Sequence, residues 1–155
     1  LLEAMRRDLA LAEQALRETI PFVPAEYDNY VFLTNLYNQA SYYLDPAYSE
    51  QAVAIARRGI EVEPYGPAIR VQLALALITR GDFEAAADQA AEAVDQDANY
   101  LEGWMTLGDA RRLLGDLHGA KAAFERAVQI SGGRADAANA LASVEASLAA
   151  EEATR

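Results

Sequence analysis

The feature that most constrains this chain is an internal repeat with a period of 34 residues. A shift of that length aligns one unit with the unit before it: Trp104, Leu107 and Gly108 with Arg70, Leu73 and Ala74; Gly115-Asp116 with Gly81-Asp82; Ala120, Phe124 and Ala127 with Ala86, Ala90 and Ala93. One further shift aligns the last three with Ala52, Ala56 and Gly59, and Ala98 aligns with Pro64. A fixed period of this size indicates stacked supersecondary units.

Each unit is predicted to be a pair of antiparallel helices. Apolar residues recur at helical spacing in residues 101–114 and again in residues 117–130. Between them, Gly115 can adopt the left-handed conformation that ends a helix, and Asp116 can cap the N-terminus of the next helix. One such hairpin cannot bury its apolar face alone, so the units must stack.

The best-preserved unit also shows how its two helices would cross. Gly108 and Ala120 are small enough to let two helices approach closely, and Trp104, Leu107 and Phe124 are large enough to fill the space beside the crossing. We therefore interpret Trp104 as a packing residue and not as a ligand-stacking residue.

The pattern Trp104-x2-Leu107-Gly108…Ala120-x3-Phe124-x2-Ala127 resembles the tetratricopeptide repeat (TPR). The resemblance covers residues 64–130 and, more loosely, 24–63, and it places Ala52, Pro64 and Ala86 at signature positions. It implies an all-α fold: a TPR-type α-solenoid of antiparallel helix hairpins, with about eight helices in a right-handed superhelix around a concave groove. The chain departs from the family at Arg111, where a tyrosine is usual, and at Gly132, where a proline is usual.

We expect a single TPR-like domain over 1–155. Its parts are an N-terminal helix or half-repeat (1–20), an irregular long first repeat (25–63), two further repeats (67–98 and 101–131) and a C-terminal capping helix (134–151). In the irregular repeat, the frame counted from Pro24 and the frame counted back from Ala52 differ by about six residues. This difference predicts a first helix, roughly 25–44, that is longer than its counterparts by nearly two turns. Asp45 is predicted to cap the next helix, with Pro46 at its first position.

Composition and charge exclude several classes of function. The net charge of −11 disfavours nucleic acid and anionic membrane surfaces as partners and suits a cationic partner. The chain has no cysteine and no stretch of 18 consecutive apolar residues, which argues against a disulfide framework and a transmembrane segment. Its alanine and arginine content favours a bacterial source. We expect a cytoplasmic or extracytoplasmic soluble domain of a longer protein, because the sequence begins within a helical pattern.

No residue pattern argues for catalysis, a metal site or a cofactor. The single histidine, His118, has no second histidine, cysteine or carboxylate at ligand spacing and is predicted to be exposed. The nucleophile elbow, P-loop and HExxH motifs are all missing from the sequence. We therefore expect that the chain is not an enzyme.

The resemblance implies that the first helix of each unit lines the groove. The candidate binding residues in that frame are Asn35, Asn38, Tyr42, Val71, Leu75, Met105, Asp109 and Arg112. They lack the lysine and asparagine set with which some family members clamp a C-terminal carboxylate, so binding of chaperone tails is not expected.

Eight of the thirteen aromatic residues lie within residues 22–48, from Phe22 to Tyr48, with Asn35 and Asn38 among them. Two interpretations stay open for this aromatic cluster. It can fill the extra space of a long helix, or it can form a polar and aromatic surface that recognises a peptide or a glycan.

The leading functional prediction is a non-catalytic scaffold that binds a peptide or protein surface in the groove. As an alternative, the segments "RRDLALAEQAL", "IPFVPAEYDNYVFLTNLYNQAS" and "DPAYSEQAVAIARRGIEVEPYGP", followed by tandem repeats, resemble the extracytoplasmic TPR tail of bacterial O-antigen ligase or polymerase-like membrane proteins. That resemblance implies a role in recognising a substrate or partner. A second alternative is self-association of the array.

Overall fold

The computed structural model describes residues 2–19 and 27–154, which fold into eight α-helices. In chain order these are α1 (Leu2–Thr19), α2 (Tyr27–Tyr43), α3 (Tyr48–Val62), α4 (Pro67–Arg80), α5 (Phe83–Gln96), α6 (Leu101–Leu113), α7 (Leu117–Ser131) and α8 (Ala135–Ala153). No strand occurs in the described ranges, and the predicted all-α class is confirmed. Phe22 of the aromatic cluster and Pro24, from which the first repeat is counted, lie outside the described residues.

The helices pack as a row of hairpins. The hairpins are α2–α3, α4–α5 and α6–α7, while α1 packs on α2 and α8 packs on α7. The first helices of the hairpins, α2, α4 and α6, also contact one another in turn. We call these three the inner helices, and α3, α5 and α7 the outer helices. This arrangement is the stacked solenoid that the 34-residue period predicts.

The turn predicted at the centre of the best-preserved unit forms as expected. Gly115 has a φ of +81° and follows the end of α6, where the backbone must turn in the left-handed region. The side chain of Asp116 accepts a hydrogen bond from the Gly119 N–H at 2.9 Å and thereby caps α7. Gly81, one period earlier, has the same backbone conformation, with a φ of +83°.

The first hairpin holds its extra residues in a different way from the prediction. The buried residues Leu33, Thr34 and Tyr37 match Leu73, Ala74 and Leu77, so α2 follows the frame counted from Pro24. In this frame Arg80, the last residue of α4, aligns with position 40, and α2 continues three residues further to Tyr43, so about one turn of the insertion lies at the C-terminal end of this helix. The rest of the insertion lies in the turn at 44–47 and at the start of α3.

The start of α3 also differs from the prediction. The helix begins at Tyr48, after Ala47, and not at Pro46. The chain enters it through a tighter turn, because the Tyr48 N–H bonds to the Asp45 carbonyl at 3.1 Å and the Ser49 N–H bonds to the Pro46 carbonyl at 3.0 Å. The Asp45 carboxylate accepts a hydrogen bond from the Ala47 N–H at 2.9 Å, within the turn that precedes the helix. No side chain caps α3, so the prediction that Asp45 caps this helix is wrong.

The repeat signature is buried where the helices cross. Its alanines and its phenylalanine are fully buried at Ala52, Ala86, Ala120, Phe124 and Ala127, and Leu107 is 2% exposed. A methyl group added to Gly108 would lie 2.5 to 2.7 Å from three ring atoms of Phe124. Gly108 is therefore the space that admits this aromatic ring, as the sequence predicts.

Trp104 and Arg70, which align in the repeat, have the same tertiary role. The Trp104 indole Nε1 donates to the Ala98 carbonyl at 3.0 Å, and Arg70 Nη2 donates to the Pro64 carbonyl at 2.9 Å. Each donor thus bonds to the residue six positions earlier, in the turn that enters its helix. Pro64 also accepts from Gln96 Nε2 at 3.0 Å, so this turn is bonded to both helices of the hairpin that follows it.

Tyr27 caps α4 from another unit of the array. The residue that precedes α4, Gly66, has no side chain to cap the helix, and the Tyr27 hydroxyl accepts the Ile69 N–H at 3.0 Å instead. A methyl group on Gly66 would clash with the Tyr27 ring and hydroxyl. Gly66 therefore leaves the space in which the Tyr27 side chain bonds Ile69, 42 positions later in the chain, at the N-terminus of α4.

Replacement of Tyr27 by phenylalanine is expected to lower the free energy of unfolding by about 1 kcal/mol, the usual contribution of one hydrogen bond. The ring packing stays while the capping acceptor is lost. Urea denaturation monitored by circular dichroism measures the change. Tyr65→Phe is the matched control, because Tyr65 is 80% exposed and should leave stability unchanged. Equal stability of the two variants would contradict the capping role.

Candidate interaction groove

The inner helices carry the groove residues predicted from the sequence, but these residues differ widely in their exposure to solvent. Val71 is 3% exposed, because α4 is covered by α2 on one side and by α6 on the other. The prediction that Val71 lines an open groove is therefore corrected. Leu75 is 37% exposed and Tyr42 is 79% exposed, while Met105 is half-buried.

Asn35 and Asn38 belong to a hydrogen-bonded network that joins α2 to α4. Asn38 Nδ2 donates to the carbonyl and to the side-chain Oε1 of Gln72, at 2.9 and 3.0 Å. Asn35 lies 3.5 Å from the same Oε1 and accepts from Gln39 Nε2 at 2.6 Å. These amides are first of all contacts between inner helices, and their freedom to bind a ligand is correspondingly limited. Asn38 Oδ1 is buried without a hydrogen-bond partner among the described residues.

Apolar side chains stand exposed beside this network. Phe32 is 60% exposed and occupies the position of α2 that Gln72 occupies in α4. Phe32 was expected only as a member of the aromatic cluster, although its position, three residues before Asn35 on a polar helix face, could have identified it as exposed. Tyr42 and Tyr43 at the end of α2 form an edge-to-face pair with ring centroids 4.8 Å apart. Phe32, Leu75 and Tyr42 are therefore the large apolar surfaces that this side offers to a partner.

The remaining predicted groove residues form an ion pair on α6. Arg112 Nη2 lies 3.2 Å from Asp109 Oδ1, and both side chains are nearly half exposed. Asp28 on α2 and Glu102 on α6 are exposed carboxylates without a hydrogen bond or salt bridge among the described residues.

Burial and nearby carboxylates raise the pKa of two tyrosine hydroxyls, those of Tyr27 and Tyr100. Burial raises the pKa of the Tyr27 hydroxyl, and the hydrogen bond from Ile69 opposes the shift. Burial, and then the charge of Glu102, raises the pKa of Tyr100. Beyond α6, hydrogen bonding from the Arg134 guanidinium lowers the pKa of the exposed Asp136 carboxyl to about 2.

The structure also bears on three other features considered from the sequence: the single histidine, metal sites and membrane-spanning helices. His118 is exposed, as predicted. In the described ranges, no group of three or more histidine, cysteine, aspartate or glutamate side chains is arranged to hold a metal ion. None of the helices described is both long enough and apolar enough to cross a membrane.

Stacked helical hairpins with an apolar and amide-bearing inner side define a repeat protein of the interaction class. Residues 101–133 match the tetratricopeptide repeat, and the described helices have the fold of a TPR solenoid. This family is a non-catalytic protein-interaction module, which agrees with the expectation that the chain is not an enzyme.

Among known proteins, a 58-residue region is 41% identical to the TPR repeat-containing protein PA0015 of Pseudomonas aeruginosa. That match covers 37% of this chain and 55% of the relative, so it spans about half of the relative's length. The fold is similar to the Sgt2 TPR domain of Aspergillus fumigatus (TM-score 0.72, 28% identity, 84% of this chain and 82% of that one). It is also similar to the first TPR of Spaghetti (RPAP3) bound to the HSP90 peptide SRMEEVD (TM-score 0.65, 24% identity, 72% and 88%).

Proposed function

We propose that this chain binds a segment of a partner protein across its inner helices. The observation that carries the proposal is the exposure of Phe32 and Leu75 beside the Asn38–Gln72 contact. Large apolar side chains on the surface of a folded domain lose unfavourable hydration when a partner covers them. The binding of a short peptide by the structurally similar RPAP3 domain supports the same use of this fold.

The amide network favours a segment over a flat protein surface. It bonds α2 to α4 and so holds Phe32 and Leu75 on a fixed frame, which reduces the entropy lost on binding. Gln72 Nε2 donates no hydrogen bond within the described residues and is free to donate one to a peptide carbonyl. Two apolar anchors with one polar contact between them suit an extended or helical segment.

Truncation of both anchors, Phe32→Ala with Leu75→Ala, is expected to weaken binding about tenfold or more, because buried apolar anchors dominate interface energetics. Peptides selected on the immobilised protein from a random dodecapeptide phage library are the probe, and isothermal titration calorimetry gives their dissociation constants. Tyr65→Ala is the control, since Tyr65 is more exposed than either anchor but lies in the turn before α4. Equal affinity of the truncated protein for the selected peptides would refute the proposed surface.

A glycan is the second candidate partner, and the exposed pair of Tyr42 and Tyr43 favours it. Tyrosine rings offer an apolar face for a sugar ring and a hydroxyl for its polar edge. Loss of glycan-array binding in a Tyr42→Ala variant would support this candidate, and a wild-type protein that binds no glycan on the array would reject it.

Two sequence predictions about the wider protein stay predictions. The resemblance to the tail of O-antigen ligase-like proteins requires a block of hydrophobic spans encoded upstream, and a gene without that block would refute it. Self-association requires a mass that rises with concentration in sedimentation experiments, and a constant monomer would refute it.

A further inference from the structure

We infer that the segment bound by the inner helices is cationic, with lysine or arginine residues flanking a large apolar side chain. This inference rests on the proposed function, because it concerns the same surface. It follows from two observations: the arginines of the inner helices already bond to other groups of the protein, and two exposed carboxylates on these helices do not within the described part of the chain.

Every arginine on the inner helices is engaged within the protein. Arg70 pairs with Glu92 of α5, and Arg80 lies 3.2 Å from Asp82 in the turn after α4. On α6, Arg111 donates to the Gly119 carbonyl of α7 at 3.3 Å and Arg112 pairs with Asp109. α2, α4 and α6 contain no lysine. The inner side thus presents no uncommitted cation that could receive an acidic peptide.

The helix N-termini, which otherwise attract anions, are also compensated. A helix N-terminus carries partial positive charge and free N–H groups. Asp28 lies in the first turn of α2 and Glu102 in the first turn of α6. The Tyr27 hydroxyl takes the Ile69 N–H of α4, and Asp136 occupies the first turn of α8. The N-terminal ends of these four helices therefore offer little attraction to an anionic group.

The charges that stay free on the inner side are negative. Asp28 and Glu102 are exposed and form no salt bridge with any residue that the structure describes, although the charge of Glu102 also acts on Arg134, the residue before α8. They stand on α2 and α6, on either side of the helix that carries Leu75. The chain as a whole has a net charge of −11, which adds a long-range attraction for cations. Carboxylates on the flanks and apolar side chains between them complement a segment with basic residues around an apolar one.

The peptide selection described above tests the inference when it is carried out at low ionic strength. Enriched dodecapeptides should carry net positive charge together with an aromatic or aliphatic residue. The most enriched peptide should bind the Asp28→Asn/Glu102→Gln variant about fivefold more weakly than the wild type, since each exposed charge pair contributes a fraction of a kcal/mol. The difference should vanish in 0.5 M salt, where charges are screened within about 4 Å.

The control variant is Glu50→Gln/Glu84→Gln. It removes the same total charge from first-turn glutamates of the outer helices α3 and α5, and it should leave affinity unchanged. Equal losses in the two variants would show a general charge effect and overturn the inference.

Enrichment of acidic or neutral peptides that still require Phe32 and Leu75 would overturn the cationic preference and leave the proposed surface standing. No enrichment over a surface without protein would reject the proposed function, and the inference with it.

Discussion

Gly108→Ala is expected to lower the free energy of unfolding by about 1 to 2 kcal/mol, although alanine is the better helix former. The new methyl group would lie 2.5 Å from the nearest ring atom of Phe124, which is fully buried and surrounded by core side chains. The ring must therefore move or the two helices must separate, and this strain exceeds the gain in helix propensity. Urea denaturation measures the change.

A double-mutant cycle with Phe124→Ala separates this clash from other effects. Phe124→Ala alone is expected to cost about 3 to 5 kcal/mol through the cavity that it creates. In the double variant the new methyl group no longer meets a ring, so the combined loss should fall short of the sum by about 1 kcal/mol or more. The preceding repeat supports this expectation. There Ala74 aligns with Gly108 and Ala90 aligns with Phe124, so an alanine occurs at the first position where the second carries no aromatic ring.

Gly115→Ala is the control for the cycle. Gly115 has a φ of +81° and no atom within 4 Å of an added methyl group, so its replacement costs about 1 kcal/mol through backbone strain alone. That loss should add to the loss from Phe124→Ala without coupling. Additivity in the Gly108 cycle as well would contradict the role of Gly108 as the space for the ring.

Arg70→Ala is expected to cost about 2 to 3 kcal/mol, since it removes several charge-assisted hydrogen bonds from a side chain that is 12% exposed. The guanidinium joins the Pro64 turn to Gln89 and Glu92 of α5, with distances of 2.9 Å to the Pro64 carbonyl and 3.1 Å to Gln89 Oε1. Its loss removes contacts to both the turn and α5. Urea denaturation again gives the difference.

Arg70→Trp should recover much of that stability. Trp104 shows that an indole at this repeat position can donate to the carbonyl six residues earlier, at 3.0 Å. An open cleft of about 450 Å³ beside Arg70, with Leu73 and Leu77 in its lining, leaves room for the larger side chain. Arg80→Ala is the surface control and should cost less than about 0.5 kcal/mol, because both side chains of the Arg80–Asp82 pair are substantially exposed. A tryptophan variant no more stable than the alanine variant would contradict the shared role.

The parts of the fold that could be predicted depend on contacts within one period of the chain. Gly115 and Asp116 specify their turn locally, through the left-handed backbone and a side-chain cap, and both act as predicted. The insertion in the first hairpin was harder to place. Its six residues could lengthen the helix or the turn, and only the packing of Leu33 and Tyr37 against the rest of the array selects between them.

The sequence predicted which helices carry the candidate binding residues, but not which of these residues are buried or hydrogen-bonded within the protein. The resemblance to the TPR, with the frame counted from Pro24 in the first repeat, placed Asn38, Val71 and Leu75 on the inner helices, where they lie. The sequence could not show that Val71 is covered by the helices on either side of α4. It also could not show that the side-chain amide of Asn38 donates its hydrogen bonds to Gln72. Those outcomes depend on the distance between neighbouring helices, which periodicity does not encode.

The sequence by itself determined the class of this protein: helical hairpins that stack with a period of 34 residues, crossing at Gly108 and Phe124. It could do so because helix caps, small residues and large residues recur at the same positions of successive units and favour the same local structure in each. Only the tertiary structure decided that Tyr27 caps α4 and that the arginines of the inner helices are already bonded within the protein. These contacts join residues that are distant in the chain, and they form where stacking brings the units together.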